Sequence, residues 1–202
     1  MTTDTAVEPG GELVHIEERR LLIEHRDGDS GAFAELVRRY RAPVYSYLVR
    51  CGVAEEDRDD LFQEVFIRVH RSAHTFNSER PLHPWLFTIV ANAVRTHFRR
   101  RRVRDLVTAE TDPSGPDPVD AGPNGERVAV ARETVAWLER AIATLPVARR
   151  QVMVLACVES RPLKEVAEVL GMPVNTVKTH LRRARLALAE SLAQRQRGEV
   201  SP

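Results

Sequence analysis

Side chains able to read DNA bases cluster in one part of this 202-residue chain, between residues 163 and 183. Within that window Ala167 lets two helices cross closely, Gly171 supplies a turn of positive φ, and Val177 fills the angle between the helices. This spacing is typical of a helix-turn-helix, so we predict that the window binds duplex DNA. The alternative is a solvated basic helix in a helical hairpin, which does not need this turn.

The second helix of the motif is predicted to have two faces. At 100° per residue its apolar side carries Val177, Leu181, Ala184 and Leu188. The opposite side carries Asn175, Thr179, Arg182 and Arg183. Asn pairs with adenine edges and Arg with guanine, whereas Lys178 and Arg185, toward the flanks, suit phosphate. The first face therefore packs against the domain and the second reads DNA.

Charge is divided into patches along the chain. The formal net charge is only +1, from 30 Lys and Arg against 29 Asp and Glu. Residues 95–104 form a basic block without an acid, whereas residues 55–60 and 105–126 are acidic. An even distribution would argue against a nucleic-acid-binding protein, but these separate patches favour one.

Composition favours a helical protein of the cytosol. Hydrophobic residues make up 43% of the chain and aromatic residues 5%, as in Ala-, Val- and Leu-rich helical proteins. Cys51 and Cys157 are too few for a disulfide framework. We see neither a signal-peptide pattern nor an apolar run long enough for a bilayer, so we expect no membrane insertion and a reducing cytosol.

The first half of the chain is predicted to form four helices. A short helix lies at about 16–25, and a second begins at the N-cap Asp29-Ser30 and stops at Cys51-Gly52. A third covers about 55–72, and a fourth runs from near Pro84 to about 102 after a polar loop.

The third helix is predicted to present a polar and charged face that contains one isoleucine. Its buried stripe consists of Leu61, Phe62, Val65, Phe66 and Val69. Its outward face consists of Asp60, Gln63, Glu64, Arg68 and Arg71. Ile67 lies among the outward residues, which is typical either of a scattered surface residue or of a protein-contact surface.

The fourth helix combines a basic face with an aromatic residue. Thr88, Asn92, Arg95 and Arg99 line one side, and Trp85 lies at the edge of the apolar stripe. Proteins hold single-stranded nucleic acid with basic side chains that lie beside an aromatic ring. For Trp85 alone we favour a role in packing the helix against the core. The dense positive charge on the same helix favours the binding of a polyanion.

These elements predict an all-α protein with two small helical domains joined by a flexible acidic linker. We predict a disordered tail at 1–15, a first domain at 16–104, a second at 127–195, and a tail at 196–202. The linker at 105–126 is rich in Pro and Gly and contains six acidic residues and no basic residue. The two domains are thus expected to be tethered rather than fused.

No pattern in the sequence indicates catalysis. There is no Gly-rich phosphate loop, nucleophile elbow or buried carboxylate pair. His70 and His74 are four residues apart but lack a third ligand, so we expect no metal and no cofactor. We predict that the protein is not an enzyme and has no small-molecule substrate.

Four segments together resemble the extracytoplasmic-function group of sigma-70 family sigma factors. They are Asp60-Leu61-Phe62-Gln63-Glu64-Val65-Phe66-Ile67-Arg68-Val69, Trp85-Leu86-Phe87-Thr88-Ile89-Val90-Ala91-Asn92, Leu145-Pro146 and Thr176-Val177-Lys178. The resemblance implies a bacterial, cytoplasmic sigma region 2 domain followed by a sigma region 4 domain. It also implies two partners, core RNA polymerase and promoter DNA, and an anti-sigma factor as the usual keeper.

The resemblance also implies roles for single residues. Polymerase binding falls to Asp60, Gln63, Glu64 and Ile67. Capture of the melted minus-10 element falls to His74, Asn77, Trp85, Thr88, Asn92, Arg95 and Arg99. Binding of the minus-35 duplex falls to Asn175, Thr176, Lys178, Thr179, Arg182 and Arg183. His70, Lys164 and His180 depart from the family pattern, which affects the expected promoter specificity rather than the class.

Two other functions remain open from the sequence. One is a two-domain transcriptional regulator that binds duplex operators through residues 163–185 without joining polymerase. The other is a DNA-processing enzyme that uses His70, His74 and acids of the third helix, which bound zinc would indicate.

Overall fold

The first domain is built from four helices. The computed structural model describes residues 9–108 and 126–197, with side chains described for 16–104 and 134–197. The helices are α1 (Pro9–Arg26), α2 (Ser30–Arg50), α3 (Glu55–Ser72) and α4 (Leu82–Thr108). A single 3-10 turn, Ala73–Thr75, leads from α3 into the loop before α4.

The second domain continues with four further helices. They are α5 (Glu126–Ala143), α6 (Val147–Met153), α7 (Leu163–Leu170) and α8 (Val174–Gln196). A π-helical turn, Val154–Val158, follows α6 directly. In the part of the chain that the structure describes, regular structure is entirely helical, as expected for an all-α fold.

Some boundaries differ from the sequence-based expectation. Helix α1 begins at Pro9, inside the segment expected to be a tail, and α4 continues to Thr108, inside the segment expected to be linker. Proline and glycine, the residues that stop helices, are missing from 103–108, so nothing ends α4 after its basic block. Helix α5 begins at Glu126, the last residue of the expected linker, and α8 ends at Gln196, the first residue of the expected tail. Residues 1–8, 109–125 and 198–202 lie outside the described residues.

The end of one helix and the start of the next are fixed by local chemistry. The Asp29 carboxylate accepts hydrogen bonds from the backbone N–H groups of Gly31 (2.7 Å) and Ala32 (3.2 Å), which caps α2 as predicted. At its other end α2 stops at Cys51, and Gly52 follows at φ +71°, a conformation that side chains rarely adopt.

The two domains pack together through one continuous apolar core. Buried residues of α2, α3 and α4 join buried residues of α6, α7 and α8 in the same cluster. Helix α4 of the first domain lies directly against α7 of the second. The sequence predicted two domains joined only by a tether, so this contact is a difference from the expectation.

Removal of the α2 cap tests this account of the first domain. We expect Asp29→Ala to lower the free energy of unfolding by about 1 kcal/mol, because two N–H groups lose their acceptor. Urea denaturation followed by circular dichroism measures the change. Asp29→Asn retains an acceptor and should lose much less; equal losses for the two variants would contradict the capping role.

Candidate nucleic-acid and polymerase interfaces

The window from 163 to 183 folds as a helix-turn-helix. Helix α7 ends at Gly171, whose φ of 62° and ψ of 40° are left-handed, and α8 begins two residues after Met172. Ala167 is 8% exposed and Val177 is fully buried where the helices cross. The close crossing, the turn and the buried wedge predicted from the sequence are therefore all present.

Helix α8 exposes the residues that the sequence assigned to DNA. Val177, Leu181 and Ala184 are buried, and Leu188 is half-buried. The exposed side carries Asn175, Lys178, Thr179, Arg182 and Arg183, and Thr176 is half-buried. The Thr179 hydroxyl donates to the Asn175 carbonyl at 2.9 Å, so its oxygen can act only as an acceptor toward DNA while this bond persists. An exposed helix with amide, hydroxyl and guanidinium groups on one side suits the major groove.

Helix α4 carries a second basic surface. Asn92, Arg95 and Arg99 are exposed along one side, and Thr88 is half-buried with its hydroxyl donating to the Pro84 carbonyl at 2.8 Å. Arg100 and Arg102 extend the exposed charge toward the end of the helix. This stripe can follow a phosphate backbone, although the Thr88 hydroxyl proton is already used within the helix.

The loop before α4 is anchored by aromatic packing. Phe76 is buried, and its ring centroid lies 5.3 Å from that of the half-buried Trp85. Asn77 accepts a hydrogen bond from the Glu79 N–H at 2.9 Å, which shapes the loop, and His74 is exposed. Trp85 therefore packs on one side, as favoured from the sequence, and leaves part of its surface open beside the loop.

Helix α3 presents the mixed surface expected of a protein contact. Asp60 and Gln63 are exposed, and Ile67 keeps 50% of its surface open to solvent. Glu64 is less free than expected, since it pairs with Arg68 one turn on and lies 3.5 Å from Arg100 of α4. Asp60, Gln63 and Ile67 are thus directly available to a partner, whereas Glu64 also ties α3 to α4.

Arg150 joins the two domains, a role that sequence reasoning missed. The residue is 8% exposed, and its guanidinium donates to the carbonyls of Ala143 and Leu145 in its own domain and of Cys51 in the first. It also lies 5.0 Å from the centre of the Phe98 ring of α4. Burial lowers the pKa of Arg150, but a guanidinium remains charged at any physiological pH. Carbonyl dipoles and a ring face compensate its desolvation.

A buried amide forms a second contact between the domains. Gln151 is 1% exposed, and its side-chain N–H donates to the Ala91 carbonyl of α4 at 2.8 Å. Every residue from Arg150 to Leu155 is buried, whereas residues 147–149 at the start of α6 are half-buried. Both polar side chains of this buried segment find backbone carbonyl partners, as buried polar groups must.

His83 lies at the centre of a polar cluster on the same boundary. Its Nδ1 is 3.2 Å from the Glu165 carboxylate, its Nε2 is 2.9 Å from an Arg161 guanidinium nitrogen, and its ring stacks on Phe87. Burial lowers the pKa of His83, against the opposing effect of Glu165 and with a smaller contribution from Arg161. Arg161 can only donate, so Nε2 must be the accepting nitrogen and the proton of the neutral ring lies on Nδ1, toward Glu165.

A cleft of about 440 Å³ opens beside this cluster. Its walls include Tyr40 and Arg50 of α2 and Glu159 and Arg161 of the second domain. Burial raises the pKa of Glu159 to about 7, against the opposing effect of Arg161 and Arg50. The contact between the domains therefore contains a carboxyl group that titrates near neutral pH.

Both halves of the chain match known protein families. Residues 36–104 match sigma-70 region 2, and residues 136–188 match sigma-70 region 4. The ECF RNA polymerase sigma factor SigM of Mycobacterium tuberculosis H37Rv is 30% identical, over 87% of this chain and 84% of SigM. SigW of Bacillus subtilis, also an ECF RNA polymerase sigma factor, is 30% identical over 86% of this chain and 96% of its own. The chain belongs to the extracytoplasmic-function sigma factors.

A solved structure of a similar protein agrees with this assignment. The structure of CnrH in complex with the cytosolic domain of CnrY aligns with a TM-score of 0.62 and 26% identity, over 88% of this chain and 97% of CnrH. The CnrH sequence of Cupriavidus metallidurans is 29% identical over 94% of its length. This sigma factor directs transcription initiation by RNA polymerase, and the alternative of a regulator that never joins polymerase is not favoured.

Other sequence-based expectations concern metal binding and membranes. Within the described ranges, His, Cys, Asp and Glu side chains do not come together in threes as metal ligands would. His70 instead faces α1, where its Nδ1 lies 3.0 Å from Nε2 of His25. A search of the described helices for a length and apolarity sufficient to cross a bilayer finds none. Sigma factors as a class are initiation factors that bind DNA rather than enzymes.

Titration of Glu159 gives the sigma factor a testable pH dependence. A carboxyl whose pKa is 4.5 when unfolded and about 7 when folded contributes stability below pH 4.5, which is lost as pH rises through 7. We expect Glu159→Gln to remove this loss, so that the variant gains up to about 3 kcal/mol relative to the parent between pH 4.5 and 8. Urea titrations at both pH values measure the difference. Glu190→Gln, at an exposed position of α8, is the control. Its stability should differ from that of the parent by the same amount at both pH values.

Proposed function

We propose that residues 16–104 bind core RNA polymerase and hold the melted minus-10 element, and that residues 127–195 bind the minus-35 element as duplex. The observation that carries this proposal is the pair of exposed basic helices, α4 and α8, each backed by buried apolar residues. Helix α8 has the shape to enter a major groove. Helix α4 combines a stripe of positive charge with the Trp85 ring beside the preceding loop. The two surfaces suit two different forms of DNA.

Polymerase binding is assigned to the exposed side of α3. Asp60, Gln63 and Ile67 lie on one side of this helix and have no role in the apolar core. A half-exposed isoleucine bordered by acid and amide groups matches the centre and rim of a protein interface. Glu64 adds charge to this surface while it is held by Arg68.

The minus-10 element is assigned to the loop after α3 and to the basic side of α4. His74 and Asn77 are exposed on the loop, and Trp85 offers its open surface to an unstacked base. Asn92, Arg95 and Arg99 then follow the strand backbone, with Thr88 at the edge. The minus-35 residues are the exposed set on α8 that begins at Asn175 and ends at Arg183, including the half-buried Thr176.

We also propose an anti-sigma protein as the partner of the free chain. CnrH, which has the same fold, was solved in complex with the cytosolic domain of CnrY. The free protein exposes one surface for polymerase and two for DNA, so a partner that covers them keeps it inactive. The sigma factor works in the bacterial cytoplasm beside its polymerase, and it has no covalent chemistry of its own.

Runoff transcription is the experiment that tests the proposed function. Purified protein added to sigma-free bacterial core polymerase should give transcripts from a matching promoter. If no start site is used with any genomic fragment of the source organism, the proposal is wrong.

The α3 surface is tested by one apolar-to-acidic change. We expect Ile67→Glu to reduce binding to core polymerase at least ~10-fold, because a charge would be buried at the centre of the contact. Fluorescence anisotropy with labelled protein measures the affinity. Ile16→Glu, at an isoleucine 47% exposed on α1, is the matched control and should bind normally. Equal losses in the two variants would contradict the assignment.

The two DNA surfaces should respond differently to alanine. Arg182→Ala is expected to weaken binding to minus-35 duplexes by about 1–3 kcal/mol, with a loss that depends on the base contacted. Arg99→Ala should instead weaken binding to the minus-10 single strand. It should also reduce the slope of log affinity against log salt concentration by about one. Binding is measured against duplex and single-stranded oligonucleotides across a salt series. Equal, sequence-independent losses on both ligands would refute the division.

A further inference from the structure

The cleft beside His83 is lined by residues that have no part in the surfaces assigned to polymerase or DNA. Its volume of about 440 Å³ lies within the roughly 300–1,000 Å³ that is usual for small-molecule sites. The lining comes from α1, α2, the start of α4 and the segment before α7. Both charged side chains and aromatic rings contribute to it, so the cleft offers two kinds of contact to a ligand.

One side of α2 forms a wall of the cleft. Its lining residues recur at intervals of four, three and four positions, the spacing of one helix face. They are Arg39, Pro43, Ser46 and Arg50. Arg39 is already held by Glu17 and Glu35. Arg50 is half-buried, and within the part of the chain that the structure describes its guanidinium forms neither a hydrogen bond nor an ion pair.

The opposite wall comes from the second domain and supplies another arginine. Arg161 is half-buried, and its guanidinium donates to Nε2 of His83 and lies 3.5 Å from Glu165. Each of its two terminal nitrogens carries a second hydrogen, so Arg161 retains donors beyond these contacts. Glu159 also lines the cleft; Arg161 and Arg50 favour its ionised form, and Glu165 opposes them. Two guanidinium groups on different walls therefore act on one carboxyl group.

The cleft lacks negative charge when Glu159 is neutral. Because burial raises the pKa of Glu159 to about 7, about half of the molecules carry it uncharged at pH 7. The other lining carboxylate, Glu18, accepts the Tyr40 hydroxyl at 2.9 Å. Arg50 then has no counter-charge in contact with it. An anion that enters the cleft supplies this charge in a partly buried place, where charge pairing is stronger than at an open surface.

Aromatic rings line the inner part of the cleft. Tyr40, His83 and Phe87 are buried, and the rings of His83 and Phe87 stack with 4.1 Å between their centroids. The centroids of Tyr40 and His83 lie 6.5 Å apart. Arg50 and Arg161 are less buried than these rings, so they lie nearer the opening. A ligand therefore meets a cationic entrance and an aromatic interior.

We propose that this cleft binds a small phosphate monoester that carries a ring. The phosphate group lies between Arg50 and Arg161, and the ring lies against the aromatic interior. A phosphate has three oxygens and close to two negative charges, so it can pair with guanidinium groups on both walls at once. The site adds a ligand to the sigma factor and does not depend on which residues contact promoter DNA or polymerase.

Binding of the phosphate is coupled to uptake of a proton by Glu159. A phosphate beside this carboxyl group repels its ionised form, so the complex favours the neutral form. The phosphate, with a second pKa of about 6, is already dianionic above pH 7. The pKa of His83 lies below its usual value and that of Tyr40 above, so both rings stay neutral from pH 7 to 9. Burial likewise raises the pKa values of Tyr47 and Cys51, on which Glu159 acts. The affinity therefore falls as pH rises through 7.

Isothermal titration calorimetry of the full chain with three compounds tests the site. Phenyl phosphate has both the ring and the phosphate, inorganic phosphate lacks the ring, and benzoate has a carboxylate in place of the phosphate. At pH 7 and low salt we expect phenyl phosphate to bind with a Kd of roughly 0.1–1 mM. The other two should bind at least ~5-fold more weakly. Equal binding of benzoate would overturn the assignment to a phosphate, equal binding of inorganic phosphate would overturn the role of the ring, and no binding of phenyl phosphate would overturn the site.

A pair of arginine variants locates the bound phosphate. Arg50→Gln should weaken phenyl phosphate binding at least ~5-fold, because one of the two guanidinium groups is lost. Arg41→Gln is the matched control, since Arg41 is an exposed residue of the same helix outside the cleft lining, and it should bind like the parent. Circular dichroism checks that both variants keep their helices. Equal losses in the two variants would show attraction by general positive charge and would overturn the site.

A pH series tests the placement of the phosphate beside Glu159. The affinity of the parent for phenyl phosphate should fall about 5-fold from pH 7 to pH 8, in step with the neutral fraction of Glu159. Glu159→Gln should bind equally at both pH values and about 10-fold more tightly than the parent at pH 8. Glu190→Gln, at an exposed position of α8, should follow the parent. A pH-independent parent, or a Glu159→Gln variant that keeps the pH dependence, would overturn the placement. Failure of runoff transcription would refute the proposed function and leave these binding measurements standing.

Discussion

A permanent positive charge buried between two helical domains constrains the arrangement of this sigma factor. Arg150 cannot lose its charge, so every donor that faces the interior requires an acceptor. The acceptors are carbonyls at the end of α5 and at the end of α2, and the ring of Phe98 covers the guanidinium. These groups converge only when α6 lies against the first domain. The position of α6 in turn places α7 beside α4.

The parts of the structure predicted from the sequence are those specified locally. The helix-turn-helix needs a small residue, a glycine and an apolar wedge within eleven positions, and each leaves a visible mark in the sequence. The two faces of α8 follow from helical period alone, and so does the exposure of Ile67. The Asp29 cap is likewise a contact between residues two and three positions apart.

The contact between the domains was not predicted, because its partners carry no signal of their own. Arg150 binds a carbonyl 99 positions away, and Gln151 binds one 60 positions away. Any residue supplies a backbone carbonyl, so the identities of Cys51 and Ala91 do not indicate these hydrogen bonds. Similarly, Arg95 was assigned to DNA by its place on a basic stripe, and only the fold shows its second partner at the end of α7. The placement of Glu64 beside Arg100 also required the packing of α3 on α4.

The Cys51-Gly52 turn, where Arg150 binds the end of α2, has a consequence for thiol chemistry. Burial raises the pKa of the Cys51 thiol to about 12, so near neutral pH this cysteine remains protonated and unreactive. The other cysteine, Cys157, is exposed in the π-helical turn of the second domain. Alkylating reagents and oxidants therefore distinguish the two sulfurs in the folded protein, because they reach Cys157 and not Cys51.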